Sequence, residues 1–170
     1  RAGEPVNREQ YIDALRAHFG SDERHIDHSL KVLGHAEAIA DEEGVEPALR
    51  RIVFLAALYH DVGIKPALEK YGSSAAPYQE REGAPVVREI LRRLHEPEEV
   101  VDRIAYIVGS HHTRAAIDGV DFQIVWEADL LVNIDEQGMA GRSDLGKLVE
   151  ENFSAAAGRR RAAELYLRAR

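Results

Sequence analysis

Eight consecutive apolar residues, Ile52 to Tyr59, run directly into His60-Asp61 and then Gly63. Pro47 precedes the run at a distance that suits the first turn of a helix, where its missing N–H costs nothing. The helix predicted from Ala48 to about His60 is apolar on nearly every side, through Ile52, Val53, Phe54, Leu55 and Leu58. A helix with no polar face must be covered all round, so this one is predicted to be central and buried. A His-Asp pair at the end of such an element is therefore carried toward the interior.

The rest of the 170 residues shows no sustained alternation of apolar and polar positions, which argues against half-buried strands. Asn7 caps a first predicted helix to about His18, closed by Gly20. A second runs from about Asp22 to Glu43, with Ile26, Leu30, Leu33 and Ala40 as its apolar stripe, and stops at Gly44. Pro66, Gly72, Ser73, Ser74 and Pro77 interrupt the stretch from Lys65 to Gln79, read as a long ordered loop or lid. Further helices are predicted over about 80–94, 97–108 and 122–136, and one or two amphipathic ones over 143–170. The fold class is all-α, in one domain over 1–170, with six to eight helices and the motif-bearing region at about 21–136.

Composition narrows the function classes. With 45% hydrophobic and 31% charged residues there is enough apolar material for a core, which excludes disorder. The absence of cysteine removes disulfides, Cys-type zinc sites, iron–sulfur clusters and thiol nucleophiles. A net charge of −8 makes a general nucleic-acid binder a poor fit, whereas a small anionic substrate needs only a local basic pocket. Arg159-Arg160-Arg161 reads as a solvated helix face. A spanning helix needs roughly 20 apolar residues, so no membrane segment is expected. Residues 1–5 carry no apolar core of a signal peptide, and a cytoplasmic location is expected. The start at Arg rather than Met fits a trimmed chain from which an export signal could have been removed.

Four features carry chemistry: His28 on a helix with an apolar stripe, His60-Asp61, the pair His111-His112 after Ile104–Val108, and Asp129 within Ile124–Val132. A carboxylate among so many apolar neighbours needs a partner, because an unpaired buried charge is very costly. Two imidazoles and two carboxylates (His28, His60, Asp61, Asp129) suit Mn²⁺, Fe²⁺, Co²⁺, Ni²⁺ or Zn²⁺, and Mg²⁺ less well. Four protein ligands leave coordination positions for water and a substrate oxygen.

The order His28, His60-Asp61, Asp129, all on predicted helices, resembles the HD-domain superfamily of metal-dependent phosphohydrolases. Ile117-Asp118-Gly119-Val120-Asp121-Phe122-Gln123 and Glu127-Ala128-Asp129 look like segments of small stand-alone bacterial members. The resemblance implies a helical bundle and hydrolysis of a phosphate ester of a nucleotide or related metabolite by a metal-activated water. Binuclear members carry a further histidine about four residues before a glycine after the lid; here the glycine is Gly83 and that position is Gln79. One tight metal is therefore expected, with a second, weaker one left open to His112, Glu80 and Glu82. The Gly-Tyr-Pro signature of the cyclic-dinucleotide branch is absent.

Around that centre, Lys65 lies four residues after Asp61 and is read as stabilising charge on the phosphoryl group. His111 or His112 is read as the proton donor. Arg24, one turn before His28, and Arg114 are candidates for substrate phosphate, with Tyr71 and Ser73 as further donors. Trp126 and Phe122 are read as core, and His18, His25, His35 and His95 as structural or surface residues. Two other readings stand beside the hydrolase: a non-catalytic metal- or nucleotide-binding signalling module, and a di-iron oxygenase, against which Gln79 counts. Apolar faces on the first and C-terminal helices leave room for a homodimer.

Overall fold

The computed structural model describes residues 7–168; residues 1–6, which include the stretch read for a leader, and residues 169–170 lie outside it. Among the described residues the regular structure is entirely helical. The helices are α1 (Arg8–Phe19), α2 (Glu23–Glu42), α3 (Pro47–Tyr59), α4 (Ile64–Tyr71), α5 (Ala76–Arg93), α6 (Glu98–Val108), α7 (Val120–Glu136), α8 (Leu145–Asn152) and α9 (Ala156–Ala162). Short 3₁₀ turns at Arg114–Ala116 and Met139–Gly141 and a π-turn at Ala163–Leu167 complete the regular structure of the described residues.

α3 is the centre of the bundle. It packs on α2, α6 and α7, and α1 closes over α2 and α3. Every residue from Ile52 to Ile64 is buried, and each fully buried Leu or Ile there is worth about 1.5–3 kcal/mol relative to exposure. From Ile52 onward α3 has no polar stripe on which it could meet water, which forces neighbours onto all its faces. α2 and α7 flank it as a pair, and α5 and α6 form a second pair. α9 seals the end of α2 and α7: Glu43 Oε1 accepts the Ala157 N–H at 2.7 Å, and Arg160 bridges to Glu42 at 2.8 Å.

The stretch predicted as a lid is instead nearly all of α4, a short link and the first turn of α5. Pro66 is the third residue of α4 and Pro77 the second of α5. A proline in a first turn loses no hydrogen bond, because those N–H groups have no intrahelical acceptor. Gly72, at φ +66°, is the left-handed cap that ends α4. The turn after α3 is pressed against α5: a Cβ on Gly63 would stand 2.1 Å from the Gln79 carbonyl oxygen and 2.7 Å from the Gly83 nitrogen. That contact fixes where His60 and Asp61 end up.

No helix among the described residues is long and apolar enough to cross a membrane.

Candidate metal centre

Two helices and the ends of two others deliver the ligand-type side chains to one buried point. His28 comes from the interior face of α2, His60 and Asp61 from the end of α3, Asp129 from α7 and His111 from the turn after α6. His60 is fully buried, and His28, Asp61 and His111 are nearly so. His28 Nε2 lies 3.3 Å from His60 Nε2, 3.1 Å from Asp129 Oδ1 and 3.3 Å from Asp61 Oδ2. His60 Nε2 lies 3.3 Å from both Asp61 Oδ2 and Asp129 Oδ1.

The other nitrogen of each ring is spoken for. His60 Nδ1–H donates to the Ala57 carbonyl at 2.7 Å, and His111 Nδ1–H to the Val108 carbonyl at 2.7 Å. His28 Nδ1–H donates to Glu136 Oε2 at 2.9 Å. Each bond selects the tautomer that leaves Nε2 with a lone pair. The lone pairs of His28 and His60 therefore face each other and two carboxylate oxygens. Such a convergence is repulsive unless a cation fills it. Ligands about 2.0–2.2 Å from a divalent ion stand roughly 3 Å from one another, which is the spacing found here. The donor set fits a divalent ion.

Electrostatics agree with that fit. Burial alone would push the His60 pKa down, but Asp61 and Asp129 outweigh it and hold it well above the ordinary histidine value. Burial and the neighbouring His60 likewise pull His28 down, and Asp129 and Asp61 hold it raised. Burial disfavours the Asp61 and Asp129 carboxylates, yet the adjacent histidines keep both well below the usual carboxylate range. The point attracts positive charge, as protons or as metal.

A second group shares Asp61. Ligand atoms of Asp61, His111 and His112 lie within 4.8 Å of one another. His111 Nε2 is buried and has no hydrogen-bond partner, although Asp61 Oδ1 stands 3.3 Å away. His112 Nε2–H donates to Gln79 Oε1 at 3.0 Å, so the glutamine steadies the His112 ring. Desolvation, with His111 beside it, pushes the His112 pKa down to about 4.

The centre opens into a polar cleft of about 220 Å³ walled by Arg24, His25, Ser74, Gln79, Asn133 and Glu136. Arg24 is placed there. Other expected residues are not. Lys65 Nζ donates to the His18 carbonyl at 3.1 Å and lines a separate groove of about 550 Å³ between α1, α4 and α5. The tight turn at 60–63 breaks the helical register that would have put Lys65 beside Asp61. Tyr71 stacks on Tyr78, with ring centroids 4.4 Å apart, and Ser73 Oγ accepts the Ala75 N–H at the start of α5. Arg114 donates to the Glu151 carbonyl. Glu80 is spent on the His112 N–H at 3.1 Å and the Thr113 hydroxyl at 2.9 Å, and Glu82 pairs with Lys70 at 3.0 Å. Neither glutamate joins the second group; His111 takes that place.

Sequence reasoning missed Glu136, Asn133 and His25. Asn133 Nδ2–H donates to Asp129 Oδ1 at 3.2 Å. Asp129, Asn133 and Glu136 recur at i, i+4 and i+7, one face of α7, and that spacing was the available signal.

Fold and centre together define a class: an all-helical protein with a buried His/Asp cluster able to hold a divalent metal. The HD domain family profile matches residues 25–164, and the chain belongs to that family. No curated protein matches it. Among solved structures it is similar to a predicted HD superfamily hydrolase from an uncultured Thermotogales bacterium, at 24% identity and a TM-score of 0.69. That likeness covers 96% of this chain and 86% of the other.

Proposed function

We propose that the chain is a metal-dependent phosphohydrolase acting on a phosphate ester of a small metabolite, a nucleotide or a relative of one. The observation that carries the reading is the buried convergence of two imidazole lone pairs and two carboxylates at the floor of a cleft walled by Arg24 and His25. Membership of the HD family and the likeness to a protein described as a hydrolase support it. One HD-type domain carries the activity, and the net charge of −8 favours a small phosphorylated partner over nucleic acid.

His28, His60, Asp61 and Asp129 would hold the ion, which when bound supplies Lewis-acid polarisation of the phosphoryl group and activation of water. The chain's own residues do the rest. Glu136, Ala57 and Val108 lock the imidazole tautomers, and Asn133 orients Asp129. Arg24 supplies positive charge at the cleft for phosphate oxygens. His112, neutral at pH 7, serves as a hydrogen-bonding wall rather than a proton donor.

The unpartnered His111 Nε2 favours a second reading of the same centre, with two ions sharing Asp61. Release of phosphate or alcohol from a panel of phosphomonoesters and phosphodiesters, with Mn²⁺, Co²⁺ or Ni²⁺, tests the function. Metal-dependent turnover, abolished in Asp129→Ala, is expected. Metal retention without turnover of any ester would contradict the hydrolase and favour a binding module. Two equivalents of iron with oxygen-dependent chemistry would favour an oxygenase.

A further inference from the structure

A second cavity, of about 190 Å³, reaches the same centre from between α7 and α8. It shares His111, His112, Asp129 and Asn133 with the metal-capable cluster and its cleft. Its remaining walls are of a different kind: Trp126, Leu130, Leu148 and Asn152. Helix spacing accounts for this juxtaposition. Trp126, Asp129, Leu130 and Asn133 stand at i, i+3, i+4 and i+7 on α7, so one helix face presents a ligand-type carboxylate beside an indole. Leu148 and Asn152 stand at i and i+4 on α8.

Trp126 packs against the core, as its sequence context predicts, but at its edge. It is half-buried, and its Nε1–H donates to Asn152 Oδ1 at 3.3 Å. Asn152 Nδ2–H in turn donates to the Leu148 carbonyl at 2.8 Å. The polar edge of the indole is thereby satisfied and its position pinned, while its carbon surface contributes to the cavity wall. A cavity of about 150 Å³ lined by apolar side chains holds benzene, so this one has room for one ring and little more.

We propose that the cavity is a subsite for the alcohol part of the substrate, taking one ring-sized aromatic or alicyclic group while the phosphate lies at the His/Asp centre. The proposal rests on the phosphohydrolase reading and sharpens it. The polar cleft meets the second cavity at Asp129 and His112, and Trp126, Leu130 and Leu148 give that cavity one apolar wall, so a phosphate ester of a cyclic alcohol spans both, with its ester bond at the junction. α8, which lies beyond the expected motif region, thereby gains a role in selecting substrate.

Calorimetry on the Mn²⁺-loaded chain with phenyl phosphate and methyl phosphate tests this, beside Leu148→Phe, which fills the cavity. Burial of one ring predicts phenyl phosphate to bind at least about tenfold tighter than methyl phosphate, and the variant to erase that ratio. Trp126 is the chain's one tryptophan, so its emission should shift with phenyl phosphate, and with benzyl alcohol even on the metal-free chain. Equal affinities for the two esters in the wild type, or a ratio that survives Leu148→Phe in a folded variant, would overturn the subsite and leave the metal reading intact. Failure to bind Mn²⁺, with benzyl alcohol still shifting the emission, would sink the metal reading and leave the ring cavity standing.

Discussion

Two of the buried polar clusters among the described residues contrast, one closed and one open. In the closed one, Glu96 accepts from the Tyr11 hydroxyl and from Arg51, through Nη2 at 2.6 Å and Nε at 3.2 Å, and the Tyr59 hydroxyl donates to the Tyr11 carbonyl at 2.8 Å. Donors meet acceptors and a cation meets its anion, so nothing further is needed. In the open one, imidazole lone pairs meet one another and two carboxylates, and His111 Nε2 meets no donor at all. Burial is similar in both. The difference lies in hydrogen-bond bookkeeping: the first cluster holds α1 and α3 to the segment after α5, and the second is complete only with a cation. A buried polar network that is fully paired reads as structure, and one with converging unpaired acceptors reads as a site.

Breaking each cluster should have opposite consequences. Glu96→Ala removes the acceptor that Arg51 and the Tyr11 hydroxyl share, and the unfolding free energy should fall by about 1–3 kcal/mol in urea titrations, with metal affinity unchanged. Glu136→Ala removes the acceptor that orients His28, and metal affinity should fall by about 10- to 100-fold, read by competition with a chelating dye, with partial rescue in Glu136→Gln.

Acidity separates the clusters more gently. His28 and His60 have raised folded-state values, so their contribution to the metal-free fold is full below about pH 6.5 and is lost as pH rises through the raised values. His18, His35 and His112 have lowered values and above about pH 7 are neutral in both states, so they add no slope there. In the closed cluster, burial and Glu96 push Tyr11 up to about 12, out of this window. Calorimetric Tm of the metal-free chain should therefore fall from pH 7 to 9, as the unfolding free energy drops by at most about 1.4 kcal/mol per pH unit for each proton bound. The metal-induced rise in Tm should grow over the same range, because bound imidazole must be neutral.

The central helix and four of the convergent side chains were legible because strong local signals announce them. α3 is apolar all round, and a His or Asp inside an apolar pattern stands out. Segment 65–79 was misread because proline and glycine mark helix starts and caps as readily as loops, and only the neighbouring turns decide which. Lys65 was misplaced because register was carried through the turn at 60–63, whose tightness depends on the Gly63–Gly83 approach, a contact remote in sequence. Glu80 was misread for a similar reason: its partner is a backbone N–H thirty-two residues away. Trp126 was legible as a core contact, but pattern reports apolarity, not whether a cavity lies on the other side.

Metal content per chain tests the account most directly, measured by elemental analysis of untagged protein after equilibration with Mn²⁺, Co²⁺ or Ni²⁺ and dialysis, beside a His60→Ala/Asp61→Ala double variant. About one equivalent is predicted in the wild type, or two if Asp61 is shared, falling to background in the variant. Wild-type content no higher than the variant's, with all three ions, would contradict the claim that the open cluster is a metal centre.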